Sequence, residues 1–190
     1  LITPSLLFNK NEDIWLEIGF GAGEHLLAQA ERYPNIGFIG CDPYINGVAR
    51  LLSGIKQKSV NNILLHHDDA RSLIEKLAPG SISKVFILFS DPWPKKRHNR
   101  RRFINYENLD ALSRVMKNHA DIRFATDNMS FVRWALNMFH HHPDFDWLVD
   151  GPEDWRNRYV DSIPTRYEKK AIERGQSCIY LTFRRCARSE

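Results

Sequence analysis

Apolar positions along the 190-residue chain follow two alternating periods. The runs "IWLEI" (14–18), "IGFIGC" (36–41), "NILLH" (62–66), "KVFILFS" (84–90), "DIRFAT" (121–126) and "SCIYLTF" (177–183) are short, rich in β-branched and aromatic residues, and read as strands. Between them, 24–33, 44–57, 70–77, 106–118 and 128–141 carry apolar residues at helical spacing and read as helices. This alternation predicts one α/β domain over 1–190, a doubly wound, mostly parallel sheet with helices on both faces, because parallel neighbours need right-handed crossovers. "KVFILFS" is almost unbroken in its apolar character, as a central strand covered on both sides requires. The stretch 150–176 lacks clean periodicity and reads as a long connection, functional or disordered.

Composition adds limits. With 43% hydrophobic residues the chain can fill one sizeable core. No run approaches the roughly 18 apolar residues of a membrane span, and no signal peptide opens the chain, so a soluble, cytoplasmic protein without a membrane partner is expected. Because the first residue is Leu1 and not Met, an N-terminal segment beyond it is also expected. Cys41, Cys178 and Cys186 show no CxxC spacing and suit a reducing compartment. The histidine-rich "FHHHPD" (139–144) and "HHDD" (66–69) lack a second correctly spaced pair, so no metal is expected. Oligomeric state, monomer or homodimer, is open at this stage.

Net charge is +4, but it is uneven: −2 over 1–94, +6 over 95–102, −5 over 103–155 and +5 over 156–190. A basic block on an acidic body, flanked by Trp93 and Phe103, points to a polyanion and in particular to nucleic acid.

Two motifs carry chemistry. In "EIGFGAG" (17–23), Gly19, Gly21 and Gly23 leave the first strand and enter a helix, a turn in which the backbone can lie close to a ligand. A dinucleotide fold would place a third glycine at position 24, where this chain has Glu24, and Glu17 precedes the first glycine by two residues. Carboxylates there repel a pyrophosphate but favour the sulfonium and ammonium groups of S-adenosylmethionine. Asp42, about 20 residues on at the end of the second strand, is placed to accept from ribose hydroxyls, and Asp69 after the third strand to take the adenine amino group or to cap a helix.

The second motif is "SDPWPKKRHNRRRF" (90–103). In an open parallel sheet the ligand sits beyond the strand ends at the switch point, so Asp91 is expected beside Gly19–Gly23. Pro92 and Pro94 stiffen the corner, and the basic run leads away from the methyl donor toward phosphates of a large substrate. Trp93 is read either as a stacking platform for a base or as a packing anchor.

"EIGFGAGEHL", "FIGCDPYINGV", "DDA", "SDPWPKKRHNRRRF", "TDN" and "TRYE" occur in the order and spacing of the tRNA (guanine-N7)-methyltransferase family, which the chain resembles from about Ile14 to Arg185. "DPWPKKRH" is the most specific element. The resemblance implies a Rossmann-like class I methyltransferase fold and methyl transfer from S-adenosylmethionine to N7 of a guanosine in tRNA, in bacteria commonly position 46 of the variable loop. It implies cofactor contacts by Glu17, Asp42, Asp69 and Asp91, with Asp91 also catalytic. It implies substrate contacts by Lys95, Asp127, Thr165, Arg166, Tyr167 and Glu168, and RNA contacts by Lys96, Arg97, His98, Arg100, Arg101 and Arg102. Many members have Glu in place of Asp42, Gly in place of Asp68 and Lys-Phe in place of Arg166-Tyr167, and Asp68 has no assigned role. Two other classes fit parts of the pattern: a non-catalytic RNA-binding domain on the same fold, and an NAD-dependent oxidoreductase, which Glu24 disfavours.

Overall fold

Among the residues described by the computed structural model, 1–8 and 13–187, seven strands build one sheet. They are β1 (Asp13–Ile18), β2 (Ile36–Cys41), β3 (Ile63–His66), β4 (Ile82–Leu88), β5 (Met116–Thr126), β6 (Phe145–Trp147) and β7 (Ile179–Arg185). Their spatial order is β3-β2-β1-β4-β5-β7-β6. Neighbours from β3 to β5 run parallel, while β7 enters antiparallel between β5 and β6. Strand order reverses between β1 and β4, so their carboxyl ends frame the crevice where α/β sheets take ligands.

Seven helices join them: α1 (Glu24–Arg32), α2 (Ile45–Lys58), α3 (Ala70–Ile74), α4 (Tyr106–Val115), α5 (Met129–His140), α6 (Glu153–Arg156) and α7 (Arg166–Glu173). Alternate strand residues face opposite layers. Ile14, Leu16, Val85 and Ile87 pack with α3, α4 and α5, whereas Trp15, Phe38 and Phe86 pack with α1 and α2. Both faces of the central strands are covered, which is why "KVFILFS" carries so little polarity.

Three expectations need correction. The helix read over 106–118 ends at Val115, because Met116 adopts extended backbone and pairs with Ile82; residues 116–118 lengthen β5. β4 begins at Ile82 and stops at Leu88, two residues before the expected end, since Phe89 has φ 52° and leaves the β region. The stretch 150–176 contains α6 and α7. Thr165 and Glu168 form a reciprocal capping box at the start of α7, a signal already present in "TRYE".

Close packing of α2 on the glycine turn sets the crevice floor. A Cβ added to Gly47 would lie 1.9 Å from the carbonyl oxygen of Gly21. Gly47→Ala is therefore expected to cost about 3 kcal/mol through overpacking, lowering the thermal midpoint by roughly 6–12 °C in a chain of this size. Differential scanning calorimetry checks this; an unchanged midpoint would show that α2 and the turn separate freely.

Candidate active site

The carboxyl ends of β1, β2 and β4 open into a cavity of about 470 Å³, within the range of small-molecule sites. Its floor is the glycine turn. Gly19, Gly21 and Gly23 all have positive φ. A Cβ at Gly19 would meet nothing within 4 Å, so the backbone there borders open space.

Asp42 fastens this turn. Its two carboxylate oxygens accept from the Gly21 amide at 2.7 Å and the Tyr44 amide at 2.8 Å, tying the turn to the entry of α2. Each oxygen keeps a second lone pair for a ligand. Glu17, expected at the cofactor, is 3% exposed, is not among the residues that line the cavity, and pairs with Nδ1 of buried His25 at 2.7 Å. β1 points it toward the α1 layer, a direction that motif spacing alone does not reveal. Cys41 also lines the cavity, but burial, then Asp42 and Asp69, push its thiol up to about 12, so it is no nucleophile at neutral pH.

Asp68 and Asp69 form the next wall. Asp69 caps α3 by accepting from the Arg71 amide at 2.9 Å and also pairs with the Arg71 side chain, whose hydrogen bond holds the carboxyl below its usual range. The helix-capping role is thus present, and the carboxylate still borders the cavity. Exposed Asp68 accepts from the Asp69 amide at 2.7 Å and lines the same space.

Opposite stands the corner after β4. Phe89, Ser90, Asp91 and Trp93 all line the cavity. Asp91 is exposed toward it, and Ser90 Oγ is buried with no partner among the described residues. Trp93 has φ 42°, uncommon for a bulky residue, and its ring faces His98 edge-on at 6.0 Å. The Arg101 guanidinium lies 4.9 Å from the Trp93 ring centroid and forms part of the cavity wall.

The basic run is a 3₁₀ turn over Lys96–Arg101. Lys95, Arg97 and Arg100 are exposed, and His98 is half-buried; the side chain of Lys96 lies outside the described residues. Arg102, expected at a phosphate, is turned inward. It is 1% exposed, donates through Nε to the Pro92 carbonyl at 2.7 Å and through Nη2 to Ser130 Oγ at 3.2 Å, and sits over Phe131 and Trp134. A side chain folded inward cannot reach a phosphate on the surface.

From the other side, α7 brings Tyr167 against the turn, where a Cβ at Gly21 would approach its ring to 3.2 Å. Arg166 is exposed beside it. Thr165 and Glu168, expected at the substrate, are buried. Glu168, 2% exposed, accepts from the Tyr180 hydroxyl at 2.6 Å and lies 3.5 Å from Arg158, so the pair holds α7 rather than facing the cavity. Asp127 follows β5 and is half-buried, outside the cavity wall. Reading the sequence missed Ser90, Tyr44 and Phe103 as wall residues; their positions next to Asp91, two past Asp42 and at the end of the basic run were the available signals.

A family model described as "Putative methyltransferase" matches residues 11–181. The chain is 49% identical over 176 residues to the tRNA (guanine-N(7)-)-methyltransferase of Ruegeria sp. (strain TM1040), covering 93% of this chain and 69% of that protein. It is 50% identical to the protein of the same name from Ruegeria pomeroyi, covering 94% and 75%. Among solved structures, an rRNA methylase from Streptococcus thermophilus superposes with TM-score 0.62 at 10% identity, over 94% of this chain and 89% of that one, a likeness of fold alone. At this identity and coverage, with the family's motifs gathered around one cavity at the switch point, the chain belongs to the tRNA (guanine-N7)-methyltransferase family.

Proposed function

We propose that this chain methylates N7 of a guanosine in tRNA, at position 46 of the variable loop, using S-adenosylmethionine in the cytoplasm. The observation that carries the reading is the composition of the cavity: Asp42, Asp68, Asp69 and Asp91 on its walls, a bare glycine floor, and a cationic surface beginning beside it.

The residues present fit the cofactor. Four carboxylates favour a ligand with a sulfonium and an ammonium and oppose one with phosphates. The open backbone at Gly19 leaves room for a close approach, and the unpartnered Ser90 Oγ offers a buried hydrogen-bonding atom. Asp42 and Asp69 are assigned to the ribose and adenine ends. When bound, S-adenosylmethionine supplies an electrophilic methyl group.

Guanine N7 has a lone pair and no proton, so no general base is required. Asp91 acts by electrostatics: its carboxylate stabilises positive charge growing on the purine and accepts from the N1–H and amino edge, which also orients the base. Trp93 and Tyr167 offer aromatic faces to an extruded base. Lys95, Arg97, Arg100 and Arg166 are assigned to tRNA phosphates.

Asp42→Ala should weaken cofactor binding roughly 10- to 100-fold, since hydrogen bonds to a charged group are worth about 1.5–3 kcal/mol. Isothermal calorimetry on the folded variant measures it, and an unchanged affinity removes Asp42 from the site. The activity itself is tested with purified protein, radiolabelled methyl donor and unmodified tRNA, followed by mapping of the labelled nucleotide. Label at N7 of guanosine 46 is the expected result. Tight tRNA binding with no incorporation would favour a non-catalytic RNA-binding domain.

A further inference from the structure

Arg102 is a buried cation whose partners among the described residues are neutral. Nε donates to the Pro92 carbonyl at 2.7 Å, Nη1 and Nη2 meet the Ser130 carbonyl and hydroxyl at 3.4 and 3.2 Å, and the guanidinium carbon stands 5.1 and 5.5 Å from the ring centroids of Phe131 and Trp134. Removing a charge from water is costly unless its donors are satisfied, so this geometry is held tightly. The planar fork of arginine can bond two backbone segments in one plane; an ammonium cannot.

The segment it grips is the one that carries the chemistry. Pro92 lies between Asp91 and Trp93, and its carbonyl belongs to the peptide that leads into Trp93, whose φ is 42°. A bulky residue in that region costs about 1–3 kcal/mol and persists only when its surroundings over-determine it. Pro92 and Pro94 lack backbone N–H groups, so the corner cannot fix itself through their amides. Arg102 supplies an external hold, and through Ser130 it ties the corner to the first turn of α5, directly after Asp127 and the capping residue Asn128.

We propose that Arg102 is a positioning residue, whose buried guanidinium fixes the Pro92 carbonyl and so holds Asp91 and Trp93 in place for methyl transfer to tRNA. The inference rests on the role assigned to Asp91. It separates Arg102 from its neighbour Arg101, whose guanidinium lies on the cavity wall above Trp93.

The test compares R102K with wild type and D91N in three measurements: methylation rate at saturating tRNA and cofactor, the salt dependence of tRNA affinity, and the ¹⁹F resonance of Trp93 in 5-fluorotryptophan-labelled protein, assigned with W93F. R102K should turn over roughly 10- to 100-fold more slowly, because a small misplacement of a catalytic group is enough for such a loss. Its Trp93 resonance should move, and the salt slope of R102Q, which loses the charge that lysine keeps, should equal wild type. Wild-type turnover in R102K overturns the proposal. So does a Trp93 resonance that stays put, or, in R102Q, a salt slope flatter by about 0.9, the signature of a lost phosphate contact. If R102K fails to fold, S130A decides: a rate lowered about threefold or more by loss of one hydrogen bond from the guanidinium, with an unchanged slope, supports the proposal, and an unchanged rate overturns it. Full activity in D91N would instead sink the reading of the site on which this inference depends.

Discussion

Asp91→Asn is expected to lower turnover at saturating tRNA by about 10²–10³ while leaving tRNA affinity nearly unchanged. Asparagine keeps the shape of the side chain and removes its charge. The carboxylate is exposed on the cavity wall at the switch point, so solvent screens it until substrate closes over the site. Its contribution therefore grows during the reaction, when the purine becomes cationic and water is displaced, and loss of the charge falls on the rate rather than on binding. Single-turnover kinetics with excess enzyme over tRNA measure the effect. A variant with near wild-type turnover would leave Asp91 without a catalytic role.

Neutralising Lys95, Arg97 and Arg100 together should weaken binding to every tRNA and flatten the salt dependence by up to about 0.9 logarithmic unit per phosphate contact. All three are exposed on or beside one 3₁₀ turn that leaves the Pro92–Pro94 corner, so they present charge on one side of the cavity. Lys95 immediately precedes that turn, two residues past Trp93, and its loss should also reduce the rate when tRNA saturates. Affinity across a salt series separates this from a surface that merely keeps the protein soluble, which predicts equal affinities and equal slopes. Arg102 is left out of the set because its charge is buried.

Much of this protein can be read from order and period along the chain. Strand–helix alternation specifies a doubly wound sheet because crossover handedness leaves few alternatives, and strand boundaries at 36–41 match β2 in full. The glycine turn and Asp91 can be placed at one crevice because both follow strands that the fold rules make neighbours, and β1 pairs with β4 as those rules require. Such features are local or topological, and a linear pattern records them.

Direction of a side chain is another matter, since it depends on contacts made far away in sequence. Arg101 and Arg102 are adjacent and chemically identical, yet one lines the cavity over Trp93 and the other is buried by Phe131, Trp134 and Ser130 from α5. Nothing in "RRRF" distinguishes them; the packing of α5 against the corner does. Glu17 is turned to His25 by its place on β1, and Glu168 to Tyr180 by the docking of α7 on β7. The chain's motifs thus determined where the chemistry gathers, while tertiary packing decided which charges face the cavity and which hold the walls in place, because burial of a charge is affordable only where distant residues complete its hydrogen bonds.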